Sequence, residues 1–387
     1  MKRVALLSVL LFCSGLAMAQ ADIQKKLQTQ LIMAEDGSVI EVDEGNFSIL
    51  ASLSMEGKKN ITIVGKGMDK TILSFKGQVD GAEGLRISNA ENIVIKDLTI
   101  QDSKGDCIKT MNVKNITFQN VKTEWTGKPK ASNGSYGLYP VKCEGVMIDG
   151  CVAIGASDAG IYVGQSKKIV VKNSKAINNV AGIEIENSLD AEVYDNEAYG
   201  NTGGILVFDL PDLVLKKGGR VKVYNNNVHD NNYINFAPKG NIVGKVPQGT
   251  GMLILATSDV EIFNNKITDN ISIGVGVISY FMTESPIKDK EYDPYPSNIF
   301  IHDNAFQRKP GRATMKGRFG KMMRFKMKMG KDVPAVFWDG IVQKDSGDKV
   351  ICLKGNQNGT FVNMDAANNF KNMSRDTTPH ECTMKSL

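Results

Sequence analysis

The sequence predicts an all-β chain wound as a single-stranded right-handed parallel β-helix, a solenoid of coils ~22–23 residues long. An N-terminal capping helix and a C-terminal appendage complete it. Three observations predict this. GIYVGQS (160–166), GIEIENS (182–188) and GILVFDL (204–210) say nearly the same thing at an almost constant step. Within each repeat the aliphatic residues alternate, as Ile161/Val163 and Ile169/Val171 do, which is the period of a strand with one buried face. Asn recurs just past a strand, at Asn173, Asn196, Asn226, Asn265 and Asn304, where a sharply bending wall favours it. Propeller blades need longer repeats, and leucine-rich repeats need a helix-forming segment that is missing here.

Residues 1–19 read as a signal peptide. Lys2 and Arg3 precede the apolar run Val4–Phe12, and Ala17-Met18-Ala19 places cleavage before Gln20. That run falls short of the ~20 residues of a membrane-spanning helix, and no other approaches it. Cys13 offers a lipoprotein alternative, although Phe12 is bulky for such a site. The expectation is a periplasmic or secreted protein with no transmembrane segment in the mature chain. Ile23, Leu27 and Leu31 then fall at i, i+4 and i+8, the pattern of an amphipathic helix able to plug the first coil. DGSVIEVDEGNFS and ITIVGKGMDKTILSF follow as opening coils.

The repeats lead from Gly84, Cys107, Gly137, Gly160, Gly182, Gly204, Gly251 and Gly274. The long steps from Cys107 and Gly204 mark inserted loops, the larger running from Leu210 to Gly249. The β-helix is expected over 20–305, a basic, methionine-rich loop and closing segment over 306–350, and a tail over 351–387. Residues 308–331 hold ten basic side chains, five methionines and no acid. They are expected to drape over the solenoid; a surface for an acidic polysaccharide, an anionic lipid or a protein is the alternative. Trp338 in FWDG (337–340) is expected to anchor packing.

Charge and cysteines narrow the function. With 47 basic and 42 acidic side chains the chain is only net +5, too mild for a dedicated nucleic-acid binder. Cys107, Cys143 and Cys151 fall inside repeats, where a lone Cys behaves as a small apolar residue. Cys352 and Cys382 are the best candidates for a disulfide in an exported protein. Three histidines without a paired motif argue against a histidine metal site.

DGSVIEVDEG followed by ITIVGKGMDKTIL resembles the opening of pectate-lyase-like β-helix proteins, a group rich in polysaccharide lyases, hydrolases and epimerases. SDAGIYVGQS (157–166), NVAGIEIENS (179–188), GNTGGILVFDLP (200–211), PQGTGMLILA (247–256) and DVPAVFWDGI (332–341) resemble a family of exported bacterial parallel β-helix repeat proteins. That family has no settled activity. It is often encoded beside a second exported protein, a candidate haem carrier.

Alternation places Ile161 and Val163 inside, so their neighbours face out. The first outward column reads Arg86, Lys109, Tyr139, Tyr162, Glu184, Leu206, Leu253. The second reads Ser88, Met111, Val141, Gly164, Glu186, Phe208, Leu255. These are expected to form one strip open to solvent, with its apolar end under the long insertion or a partner. Asp106 and Asp158 lie in the turns before the strands, and Asp209 in the insertion, whose NFAPKGN (235–241) could flank a cleft.

The strip suits a uronic-acid polymer. Lys109 or Tyr162 is the candidate base and Arg86 the group neutralising the sugar carboxylate. Tyr139, Glu186, Asp106, Asp158 and Asp209 are candidate substrate contacts. A hydrolase would instead pair Glu184 with Asp158. No cofactor is required, but a Ca²⁺ site is open to Asp106, Asp158, Glu184 and Glu186 if their turns converge. The first reading is therefore a lyase or epimerase acting on an anionic polysaccharide. The second is a non-catalytic scaffold docking another exported protein, a redox partner among the candidates. Polar outward residues also occur on any solvated wall, and stacked cross-strand pairs each stabilise a sheet by roughly 0.2–1 kcal/mol.

Overall fold

Alternating aliphatics leave one face of every short strand apolar, and stacking the coils buries those faces against one another. A computed structural model describes residues 23–314, 317–344 and 350–387, so the leader read at 1–19 lies outside the described residues. The strands form a right-handed parallel β-helix of two sheets. Eleven described strands, from Ala51–Glu56 to Phe361–Asn363, make the front sheet, and nineteen make a back sheet folded into two walls. One coil shows the plan. Ala159–Gly164 lies in front, and Lys167–Lys172 and Lys175–Ile177 lie behind. The next coil stacks in parallel, with Ile161 opposite Ile183 and Ile169 opposite Ala191. The sequence step is thus one turn of the solenoid.

Ile161, Val163, Ile169, Val171, Ile183 and Ile185 are buried in one continuous core. Each such side chain contributes about 1.5–3 kcal/mol. The small residue leading each repeat is fixed by close approach between coils. A Cβ on Gly182 would lie 2.5 Å from the carbonyl oxygen of Gly204, and one on Gly251 would lie 2.6 Å from that of Gly274.

The asparagine slot is real but one residue tighter than the sequence suggests. Buried Asn196, Asn226, Asn265 and Asn304, with half-buried Asn356 at the end, form a ladder, each of the four side-chain amides donating to the next Oδ1 at 2.9–3.0 Å. Asn173 is not a rung. It is exposed, and Ser174 takes the slot, its backbone N–H donating to Asn196 Oδ1 at 3.0 Å. Asn173 instead supplies the left-handed backbone, φ 51°, as Asp195 and Asn225 do in later coils. Bending falls to one residue and the buried bonding to the next, while Asn173 Nδ2 adds a solvent-exposed bond to Asp149 Oδ1 at 2.8 Å. A second ladder, Asn179, Asn201, Asn231 and Asn270, lines the other corner.

The helix over 23–33 covers the first coil, burying Leu27 and Leu31 with Ile23 packed beside them. At the other end the sheets run past 305. Val336–Trp338 pairs with the strand Ile273–Ile278, Ile351–Lys354 with Ser297–His302, and Phe361–Asn363 with Val336–Trp338. Trp338 packs in the core, and Cys352 is bonded to Cys382. Cys107, Cys143 and Cys151 are buried thiols. Among the described residues no helix is long and apolar enough to cross a membrane.

The long insertion is not one loop. It is two, 209–218 and 230–249, separated by the strands Gly219–Tyr224 and Asn227–His229 of an ordinary coil. A third loop, 279–296, leaves the front sheet one coil after the second. All three turn onto the outer face of that sheet.

Candidate functional site

The outward columns stand in register. Arg86 pairs with Lys109, Lys109 with Tyr139, Tyr162 with Glu184, Glu184 with Leu206, and Leu206 with Leu253. The second column runs Met111, Val141, Gly164, Glu186, Phe208, Leu255 across the same coils. Tyr162 and Glu184 therefore lie outside the solenoid core and on one side of it.

The strip is not open along its length, as the sequence suggested. Tyr162 is 4% exposed and Glu184 1%. Leu206, Phe208, Leu253 and Leu255 cannot face water at low cost, and the loops cover them. These four join Tyr162, Val243, Val246, Tyr280 and Tyr292 in a second apolar cluster. The cover is clasped by ion pairs, Lys216 to Asp289 at 2.7 Å and Lys217 to Asp293 at 2.9 Å. Asn241, within NFAPKGN, donates to Asp158 Oδ2 at 2.8 Å, so this stretch seals the face and does not flank a cleft.

Under the cover lies an acidic group. Burial pushes Asp158 and Glu186 each up to about 7, with neighbouring carboxylates adding to the shift. Glu184 is also raised well above the usual value, first by burial and then by Asp158 and Glu186. Its Oε2 has no hydrogen-bond partner among the described residues. A protonated carboxyl fits such a place, because an unpaired buried carboxylate is costly. The Tyr162 hydroxyl donates to Glu186, and burial holds its phenol well above the usual value. A base role for Tyr162 therefore does not fit, and Glu184 and Asp158 are not placed as a solvent-facing hydrolytic pair. Asp209 is fully buried, accepts from the Gly218 N–H and is raised to about 7 by burial. It holds the first loop and does not face a substrate.

The cover stops at the N-terminal coils. Arg86 is exposed, and Lys109 and Tyr139 are half-buried. Lys109 Nζ lies 3.8 Å from Asp106, 3.9 Å from Glu83 and 4.8 Å from the centre of the Tyr139 ring. Burial raises Asp106 to about 6, against the opposing pull of Lys109. Burial also pushes the Tyr139 phenol up to about 12. Tyr139 packs with Tyr136 and Tyr162, ring centres 4.5–5.0 Å apart, into a three-ring wall closing the open end.

Sequence reasoning missed Tyr136, Glu83 and Asn241. Tyr136 escaped because alternation breaks at Gly137, where a Cβ would point inward, 2.4 Å from the Gly160 carbonyl. Two residues that alternation would put on one face, Tyr136 and Leu138, so take opposite faces. Asn241 had a signal in the segment named but none in its own position. Among the described residues no three acidic, histidine or cysteine side chains gather to hold a metal ion.

A family model described as the right-handed β-helix region matches residues 129–288. The fold is similar to that of the mannuronan C-5 epimerase AlgE4 A-module of Azotobacter vinelandii, at TM-score 0.59 and 16% identity, covering 86% of this chain and 90% of that one. The AlgE6 A-module of the same organism gives 0.56 and 16%, covering 87% and 91%. An alginate lyase from Paenibacillus sp. FPU-7 gives 0.51 and 13%, covering 74% and 93%. No curated protein matches the chain by sequence. At these identities the likeness is one of fold.

Proposed function

Taking the chain as a right-handed β-helix protein of the pectate-lyase-like group, we propose that it acts on an anionic, uronate-containing polysaccharide at the open end of the front sheet. The observation that carries this is Asp106 beside Lys109, with Arg86 on the adjoining coil and the Tyr139 ring against the Lys109 ammonium. Arg86 and Lys109 hold and neutralise a uronate carboxylate, which makes the proton on its neighbouring carbon, C5, more acidic. Asp106, with its pKa about 6, takes that proton, since a base works best with a pKa near the working pH. The Tyr139 ring packs on the sugar. The electron pair left at C5 either expels the glycosidic oxygen at C4, which leaves carrying a proton from solvent and gives an unsaturated sugar, or takes a proton from solvent on the other face and gives the epimer. Polysaccharide-acting enzymes among the similar folds support the substrate class. Export, suggested by the leader, would place the protein where such polymers occur.

The test is incubation with polymannuronate, polyguluronate and pectate, with and without Ca²⁺. Ultraviolet absorbance reports the unsaturated product, and deuterium entering C5 from heavy water reports epimerisation. Neither signal on any of the three polymers would remove the proposal.

A further inference from the structure

We infer that residues 321–331 form a second, non-catalytic surface for the same class of anionic polysaccharide; the choice of polymer rests on the proposed function. The segment has two faces. Met323, Met327 and Met329 are buried against Phe337, Val362 and Met364. Lys321, Arg324, Lys326, Lys328 and Lys331 are exposed. Among the described residues none of these five cations is in an ion pair. The nearby acid Asp332 is already engaged by Arg375. The five cations of 321–331, with no acid among them, equal the excess of five carried by the whole chain, so the rest of the protein is net neutral. A polyanion is thereby steered to this one patch.

The position continues the proposed site. Phe337 and Val362 extend the first outward column, pairing through Gly276 with the Leu253 coil. The basic segment therefore covers the same face of the front sheet as Arg86 and Lys109, beyond the clasped loops. A chain held at the open end and running along the solenoid axis meets it. Phe325, 66% exposed with the Arg324 guanidinium 5.3 Å from its ring centre, adds a ring for sugar contact. An anionic bilayer fits less well, since a membrane-seeking helix keeps its apolar face free and here the methionines are spent on the sheet.

The experiment replaces the five cations together by Gln and measures Kd for long polymannuronate and for a short oligomannuronate across salt concentrations. The expected result is a loss of about tenfold or more for the long polymer at low salt, shrinking as salt rises, with the short oligomer unchanged. Swapping Lys and Arg at the five sites should retain long-polymer affinity. An equal Kd for wild type and the Gln variant would overturn the inference, as would wild-type binding to phosphatidylglycerol vesicles but not to polymannuronate. Asp106→Asn separates the two proposals. If the catalytic reading fails while this surface stands, long-polymer binding stays salt-sensitive in that variant and no turnover appears in wild type.

Discussion

The Tyr162 hydroxyl donates a 2.6 Å hydrogen bond to Glu186 Oε1, from one coil to the next. Both groups lie under the clasped loops, so this contact belongs to the covered half of the strip. Tyr162→Phe leaves the ring in its cluster and removes only the donor. The expected cost is about 1–3 kcal/mol, the range for a buried acceptor left unpaired, read from urea denaturation at pH 6. A change indistinguishable from zero would mean the carboxyl finds water there.

The covered acids set a pH dependence. Folded Asp158 and Glu186 keep their protons up to about pH 7, and the unfolded chain releases them near pH 4. Between these values the folded state binds more protons, so stability falls as pH rises through the window and levels off above it. The unfolding free energy at pH 5 should exceed that at pH 8 by roughly 2–4 kcal/mol. Glu184→Gln, which removes one of the mutually repelling acids, should reduce that difference. A stability profile rising from pH 5 to pH 8 would oppose this account of the acids.

The two asparagine positions give a paired comparison. Asn226→Ala removes bonds to Val193 and Asn265 and an acceptor for Asn196, and should cost about 2–4 kcal/mol. Asn173→Gly keeps the left-handed backbone at an exposed site and should change stability by no more than ~0.5 kcal/mol. Equal effects in thermal melts would show that the slot was assigned to the wrong residue.

Gly182→Ala forces a Cβ against the Gly204 carbonyl. The backbone there cannot retreat without shifting the stacked coil. A loss of about 1–3 kcal/mol is expected; a neutral melt would mean the coil spacing is softer than described.

Much of this was legible in the sequence because a solenoid turns periodicity into position. The alternation of Ile161 and Val163 fixed which neighbours share a column, and the register of Arg86, Lys109, Tyr139, Tyr162 and Glu184 followed. Exposure did not follow, because it depends on loops whose course no repeat encodes. Leu206 and Phe208 signalled that something covers the face. Nothing local said that the cover reaches Tyr162 and Glu184, or that it stops short of Arg86. Tyr136 was hidden for a different reason: the glycine that lets coils approach also breaks the period used to assign faces.

The proposed chemistry depends on Asp106 taking a proton while Arg86 and Lys109 hold the carboxylate. The most direct measurement is the rate of C5 proton abstraction from polymannuronate against pH, read as C5 deuterium incorporation plus unsaturated product, for wild type and Asp106→Asn. The account predicts a wild-type rate that climbs through about pH 6 and a variant that still binds the polymer but has lost ~100-fold or more of the rate. A variant that exchanges as fast as wild type, with the same pH limb, would contradict it.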